Sequence, residues 1–334
     1  MKEKILKALR EAEEGYISGS SLCEQFGVSR QAVWKNITAL KEFGYEIESV
    51  SNKGYRLLAS PDKLYAPEIL SYLPEDCLCQ KVECFESIDS TNTKAKQLAE
   101  LGEAEGTLVI AEEQTAGKGR RGRNWASKPN VGIWMTLLLR PEIAPEKVSG
   151  LTLLTALALT KAVKKVCGLK TEIKWPNDVI IAKKKICGIL TEMSSEENYI
   201  HYAVVGIGIN ANTTDFPEEL QERATSIYLE GKKKVNRNEL AAVWVSYFCE
   251  YYKQFVKEQD LSFAVEEYDQ CLANKDKEVK VYYGMIEQAD EKKTDCGIAR
   301  GIDKEGALLV EQEDGTIKKV VSGEVSVRGI YGYV

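Results

Sequence analysis

Between Gly117 and Trp125 the chain reads Gly117-Lys118-Gly119-Arg120-Arg121-Gly122-Arg123-Asn124-Trp125, four cations interleaved with three glycines. From Gln114 to Pro141 there are six Lys or Arg residues and no Asp or Glu, in a chain whose formal net charge is -6. Such segregation raises the positive potential where a phosphate or carboxylate would sit. Each glycine removes a Cβ that would hold backbone N–H groups away from a ligand, and each arginine offers a fork of donors matched to phosphate oxygens. The chemistry on offer is anion binding. A solvated surface loop and a nucleic-acid patch are the other readings of such a run, and its neighbours decide among them.

Four more segments share the central region with this loop: Ser90-Thr91-Asn92 at a helix start, Lys174-Trp175-Pro176-Asn177-Asp178, Lys185 just before Ile186-Cys187-Gly188-Ile189, and Gly206-Ile207-Gly208-Ile209-Asn210 at a strand end. Each has an ordinary reading alone. Ser-Thr-Asn caps helices, Asn-Asp satisfies its own backbone in turns, Lys185 continues a charged run with Lys183 and Lys184, and the GxG lacks the third glycine and following helix of a dinucleotide site. The single histidine, His201, precedes the apolar run Tyr202-Ala203-Val204-Val205 and reads as a strand-end residue without a chemical role. A Ser-His-Asp triad, a Cys-His pair and a multi-histidine zinc site are therefore disfavoured. Charge must be handled by cations, amide donors and a bound metal. Nine cysteines include no CxxC pair, and the closely spaced Cys77, Cys79 and Cys84 read as buried or half-buried reduced thiols.

The 334 residues exceed what one hydrophobic core usually serves, so two or three domains are expected. No apolar run approaches the roughly 20 residues that span a bilayer, and the charged start MKEKILKALREAEEG is unlike a signal peptide. The expectation is a cytoplasmic protein with no membrane association. Residues 1–60 read as a winged helix-turn-helix. Ile5, Leu6 and Leu9 are spaced on a first helix, Gly27 stops a second, Ser29 caps a third running from Arg30 to Phe43, and Asn52-Lys53-Gly54 turns a hairpin wing. The third helix presents Ser29, Arg30, Gln31, Trp34, Lys35 and Thr38 for phosphate and base-edge contacts with DNA. Residues 28–56 carry only five basic against three acidic residues, so one copy alone should bind weakly. A winged helix used for protein contacts or regulation stands beside that reading.

Pro61 and Pro67 bracket a linker. Residues 65–270 mix short strands with helices at Thr93 to Glu100, Val148 to Val166 and Arg237 to Lys257, which reads as a mixed α+β sheet and not a doubly wound one. Residues 275–334 hold five short strands beginning near Val279, Gly297, Ala307, Ile317 and Glu324, the pattern of a small barrel.

In order and spacing these segments resemble the biotin protein ligase family, in the bifunctional form that also represses the biotin operon. The resemblance covers the whole chain, with the basic glycine loop and Lys-Trp-Pro-Asn-Asp as its most specific parts; Lys118 stands where an arginine would be equally familiar. It implies an N-terminal winged helix, a catalytic domain of the biotin/lipoate ligase type and a C-terminal SH3-like barrel. It implies activation of biotin by ATP and Mg²⁺ to biotinyl-5'-adenylate, then transfer to a lysine of a biotin carboxyl carrier domain. By the same resemblance Ser90, Thr91, Asn92, Gln114, Lys118, Gly119, Arg120 and Lys185 would bind biotin. Arg121, Arg123, Trp125, Asn177, Asp178 and Asn210 would bind ATP, with Asp178 toward Mg²⁺. Lys185 and Arg120 would be the catalytic residues. Operator DNA and a homodimer favoured by the adenylate complete the expectation. A lipoate ligase and a non-catalytic metabolite-sensing transcription factor are the competing readings.

Overall fold

The computed structural model describes residues 1–12, 15–283, 294–322 and 325–329. Glu324, the expected start of the last strand, and residues 330–334 lie outside the described residues.

The first unit is three helices and a hairpin: α1 (Lys2–Glu11), α2 (Gly19–Phe26), α3 (Arg30–Phe43), β1 (Glu46–Val50) and β2 (Gly54–Ala59). Ser18 and Ser29 each satisfy an orphan N–H of the first helical turn, accepting from Ser21 N at 3.0 Å and Ala32 N at 3.2 Å. Gly27 at φ 63° and Gly44 at φ 111° close α2 and α3 in the left-handed region. Ile5, Leu6, Leu9, Leu22, Val33, Ile37 and Leu40 form one small core.

Side chains clasp this unit to the next helix. Pro67, expected at the end of a linker, instead sits in the first turn of α4 (Ala66–Tyr72), where its missing N–H costs nothing. The Arg10 guanidinium of α1 reaches Glu68 and Ser71 on α4, and the Tyr45 hydroxyl donates to the same Glu68 carboxylate, which is only 1% exposed. Phe43 and Tyr65 stack at 3.9 Å. The connecting residues are themselves gripped. Asn238 donates to Lys63 O at 2.9 Å and accepts from Tyr65 N at 3.0 Å. Fully buried Arg237 donates to Asp62, to the Glu112 carboxylate and to Gly132 O.

The central unit carries β3 (Lys81–Ile88), α5 (Thr91–Glu100), β4 (Thr107–Gln114), β5 (Ile133–Leu139), α6 (Ser149–Cys167), β6 (Glu172–Lys174), β7 (Asp178–Ile181), β8 (Lys184–Glu196), β9 (Tyr199–Ile209), α7 (Ile227–Gly231), α8 (Arg237–Glu258) and α9 (Val265–Cys271). Its seven-stranded sheet runs β3-β4-β5-β9-β8-β7-β6. β3 and β4 are parallel and every other neighbouring pair is antiparallel. The sheet is thus mixed, as the adjoining strand patterns implied. Helix α6 is apolar through most of its length because it lies buried on this sheet beneath α8, and Gly168 at φ 70° ends it.

The last unit contains β10 (Glu278–Tyr283), β11 (Thr294–Ile302), β12 (Leu308–Glu311), β13 (Ile317–Val320) and β14 (Val325–Gly329). They form one antiparallel five-stranded sheet in the order β13-β12-β11-β10-β14. It is tied to the central unit through α9. Asp269 accepts from Ile302 N at 3.0 Å and from Lys275 at 3.0 Å.

Candidate functional site

Three glycines on β8 and β9 make the floor of the site. Gly188 and Gly208 are cross-strand partners, and Gly206 lies two residues along from Gly208. A Cβ on Gly206 would fall 2.0 Å from Asn92 Oδ1, and one on Gly208 would fall 2.3 Å from Trp125 Nε1. At Gly188 it would lie 2.8 Å from the Trp125 ring. The bare strands let two side chains from elsewhere lie directly on the sheet. Pairing across the β8–β9 ladder therefore explains why the GxG is needed without a dinucleotide fold.

Above the floor, the start of α5 delivers Ser90, Thr91 and Asn92, all nearly buried. Ser90 occupies the cap position without a side-chain capping bond. Thr91 donates through N and Oγ1 to Gln114 Oε1 at 2.8 and 2.9 Å, and Gln114 Nε2 donates to Ser127 Oγ at 2.9 Å. Thr136 of β5 lies 2.7 Å from Asn92 Oδ1 and 2.8 Å from Thr91 Oγ1. Asn92 Nδ2 donates to the Glu192 carboxylate at 2.8 Å, and Lys96 pairs with Glu192 at 2.9 Å. Burial pushes Glu192 up, but the bonds from Asn92 and Lys96 outweigh it and hold the carboxyl below its ordinary range. Ser90, Thr91, Asn92 and Gln114 line a pocket of about 40 Å³ together with Lys118, Gly119, Arg120, Trp125, Asn177 and Lys185.

Beside it opens a much larger cavity of about 720 Å³. Arg120, Arg121, Arg123, Trp125, Asn177, Asp178, Lys185 and Asn210 all line it. Gly119, Arg120, Trp125, Asn177 and Lys185 border both spaces, so the small polar pocket and the cationic cavity meet at these residues. Hairpin β6–β7, in register Lys174↔Asp178, brings Asn177 and Asp178 to the junction. Lys185, the second residue of β8, pairs with Asp178 at 2.6 Å and lies 5.0 Å from the Trp125 ring centre. Arg120 donates to Asn177 Oδ1 at 2.7 Å, and Asn177 Nδ2 donates to Ile189 O at 3.1 Å. Burial first, then the Arg121 and Arg123 guanidiniums, pull the Arg120 pKa below its ordinary value. Arg121 sits at φ 60°, a conformation costly for a side chain of that size. The buried Trp125 Nε1 has no hydrogen-bond partner, an orphan donor at the shared wall. Lys118 lies apart from that wall, donating to Thr93 Oγ1 at 3.2 Å. Asn210 Nδ2 donates to Thr225 O at 3.1 Å, which ties the GxG strand end to the cavity's far side.

No sequence motif marks that far side. Residues 213–224 contribute Thr213, Phe216, Leu220 and Arg223, and β10 of the last unit contributes Tyr282. His201 lies outside both spaces, exposed on β9 and 3.2 Å from Glu196. For a divalent metal the structure offers Asp178 as a buried carboxylate at the junction, and no cluster of three or more potential metal ligands exists among the described residues. One protein carboxylate together with substrate phosphates is the usual way of holding Mg²⁺, so the donor set fits that ion.

On the first unit, Ser29, Arg30, Gln31, Trp34 and Lys35 are exposed on one side of α3 and Thr38 is half-buried. Trp34 is 60% exposed.

Comparison with known proteins bears on both regions. The sequence model of the biotin/lipoate A/B protein ligase family matches residues 84–210, that of an HTH domain matches 2–56, and that of the biotin protein ligase C-terminal domain matches 287–328. The chain is 37% identical over 331 residues to the bifunctional ligase/repressor BirA of Bacillus subtilis, covering 98% of each. The chain belongs to the biotin protein ligase family. Within that family it is of the bifunctional ligase/repressor kind, since the likeness runs through the winged helix as well as the enzyme core. It is also 32% identical over 326 residues to the bifunctional ligase/repressor BirA of Escherichia coli, covering 97% of this chain and 96% of that one. Among solved structures, the biotin protein ligase from Aquifex aeolicus in complex with biotin and ATP superposes with a TM-score of 0.65 at 30% identity, covering 75% of this chain and 99% of that one.

Proposed function

We propose that this member of the biotin protein ligase family joins biotin to a lysine of a biotin carboxyl carrier domain in two steps, and represses transcription through its N-terminal unit. The observation that carries the catalytic reading is the meeting of two unlike spaces at Lys185, Arg120 and Trp125. A small pocket of neutral donors and acceptors suits a cyclic urea. The adjoining cationic cavity suits a nucleoside triphosphate. A lipoyl group has a dithiolane with nothing to match Thr91, Asn92 and Gln114, so the polar pocket disfavours the lipoate reading.

In the first step a biotin carboxylate oxygen attacks the α-phosphorus of ATP, the bond to the β-phosphate bridging oxygen breaks, and pyrophosphate leaves. No protein nucleophile is needed. Lys185, at the border of both spaces, is placed to neutralise the carboxylate as it approaches and the α-phosphate as charge develops. Arg120 holds the same junction from the loop side. Arg121 and Arg123 face the phosphates, while Trp125 offers its ring and unpartnered N–H to the nucleotide side. Asn177, Asp178 and Asn210 line the remaining wall, and Asp178 would hold Mg²⁺, which supplies further charge neutralisation when bound. In the second step the carrier lysine amine attacks the anhydride carbonyl, AMP departs, and an amide remains.

Residues 1–60 would read an operator through the exposed side of α3, residues 65–270 would carry the chemistry and residues 275–334 would close one side of the nucleotide cavity. With so modest a basic charge on one winged helix, two copies are needed for tight binding, which favours a homodimer promoted by the adenylate. No helix among the described residues is long and apolar enough to cross a membrane, and nine free thiols with an ATP requirement suit the cytoplasm.

The test is incubation with biotin, Mg-ATP and a carrier domain, read by mass spectrometry. One biotinyl addition on the carrier supports the reading. No addition, with the protein folded and both substrates present, overturns it.

A further inference from the structure

Away from both cavities, two thiols from distant parts of the chain face one another. Cys77 lies in the segment between α4 and β3, and Cys249 lies in the middle of α8. Their sulfurs are 3.8 Å apart and share a hydrogen bond, although 172 residues separate them in sequence. The backbone N–H of Cys79 also serves this pair, the kind of amide donor that stabilises a thiolate. Cys77 retains 8% of its surface and Cys249 is half-buried. The other neighbours are poor competitors. Cys79 is 1% exposed and turns toward Lys81 O, and burial pushes its thiol up to about 12.

We propose that Cys77 and Cys249 are a redox-active dithiol that hydrogen peroxide oxidises to a disulfide. Cys77 is the attacking sulfur, because the bond to Cys249 and the Cys79 amide hold its pKa below the ordinary thiol value despite burial. The Cys77 thiolate attacks one peroxide oxygen, the O–O bond breaks, and Cys77 becomes a sulfenic acid as hydroxide leaves and takes up a proton to become water. The Cys249 sulfur then attacks Cys77 Sγ, the S–O bond breaks, and a second water departs with the Cys249 proton. Two thiols lose two electrons in all, and one peroxide is reduced to two waters. The short sulfur separation lets the second step compete with further oxidation of the sulfenic acid, since the resolving thiol is already in contact. The product would fasten the segment after α4, and hence the clasp around Glu68, to the same helix whose first residue grips Asp62 and Glu112.

The experiment treats the full chain, natively folded, with hydrogen peroxide, then alkylates the remaining thiols and maps peptides by mass spectrometry without reduction. The expected result is loss of two of the nine alkylation sites and one cross-linked peptide pair joining Cys77 to Cys249, both reversed by a dithiol reductant. In the Cys249→Ser variant, dimedone should trap a sulfenic acid at Cys77. Nine alkylated thiols after treatment, a bridge through any other pair such as Cys77 to Cys79, or irreversible oxidation of Cys77 in place of a bridge would each overturn the proposal. The wild-type peptide map decides the question by itself if a serine variant fails to fold.

Discussion

Replacing Gly208 by alanine tests the glycine floor most directly. The added methyl would stand 2.3 Å from Trp125 Nε1 and 2.5 Å from Trp125 Cε2, about 1 Å inside ordinary van der Waals contact. Both are atoms of a rigid indole, and the strand beneath is locked by pairing to β5 on one side and β8 on the other. The indole must therefore move, together with the loop that ends at it. Overpacking of this kind costs about 1–3 kcal/mol. Because Trp125 borders both spaces, a cost of that size for returning the indole to its place should appear as a loss of about 5- to 150-fold in kcat/KM for adenylate formation. Pyrophosphate exchange dependent on biotin measures it. A double-mutant cycle with Trp125→Ala isolates the cause, since the penalty of the methyl should shrink when the indole is gone. An unchanged rate in Gly208→Ala, or an identical penalty with and without the indole, would refute the reasoning.

Lys185→Ala should lower adenylate synthesis by about 100-fold or more, by analogy with removal of a single donor to a developing charge, while thermal melting shows the fold intact; normal turnover sinks its assigned role. Arg10→Ala leaves the nearly inaccessible Glu68 carboxylate without its cation and should destabilise by about 3–5 kcal/mol in urea titration, a stable variant refuting the clasp. Deleting residues 1–60 should abolish operator binding in a gel shift while carrier labelling persists at least in part. Glu192 has its folded pKa depressed below the ordinary 4.5, so its contribution is present above that value and lost as pH falls through the folded pKa. Lys96→Met should therefore move the acid-unfolding midpoint to higher pH, and an unmoved midpoint would show that the Lys96–Glu192 pair does not hold that carboxyl down.

Much of the site is legible in the sequence because its groups are segregated in short runs. The loop from Gly117 to Trp125, Ser90 to Asn92 and Lys185 are each conspicuous by type, and the helix caps at Ser29 and Gly168 fall where local chemistry places them. The features that escape a reading of the sequence depend on tertiary pairing. The turn within Lys174 to Asp178 is itself legible, but its flanking strands β6 and β7 have only three and four residues, too few to establish a period. Thr136 and Glu192 alternate within strands like any other polar residue, and only the approach of α5 shows that both grip Asn92. Residues 213–224 have no regular pattern at all, since loop walls are specified by what they cover and not by periodicity. Pro67 is misleading for a related reason, because proline marks a helix start as readily as a linker end.

The grip on Asp62, Lys63, Leu64 and Tyr65 has a geometric consequence. Leu64 N donates to Glu112 Oε1 at 2.7 Å, so the connecting strand is fastened at successive residues and has almost no slack. Two paired copies would then hold their α3 helices at a separation set by the pairing surface alone. DNA half-sites about 10 base pairs apart, or a multiple of that, lie on one face of the duplex. Inserting about half a helical turn between them would rotate one half-site to the opposite face, and a tether without play cannot follow it. Tolerance of operator spacing should therefore be narrow, and a flexible insertion at residue 60 should widen it at the expense of affinity.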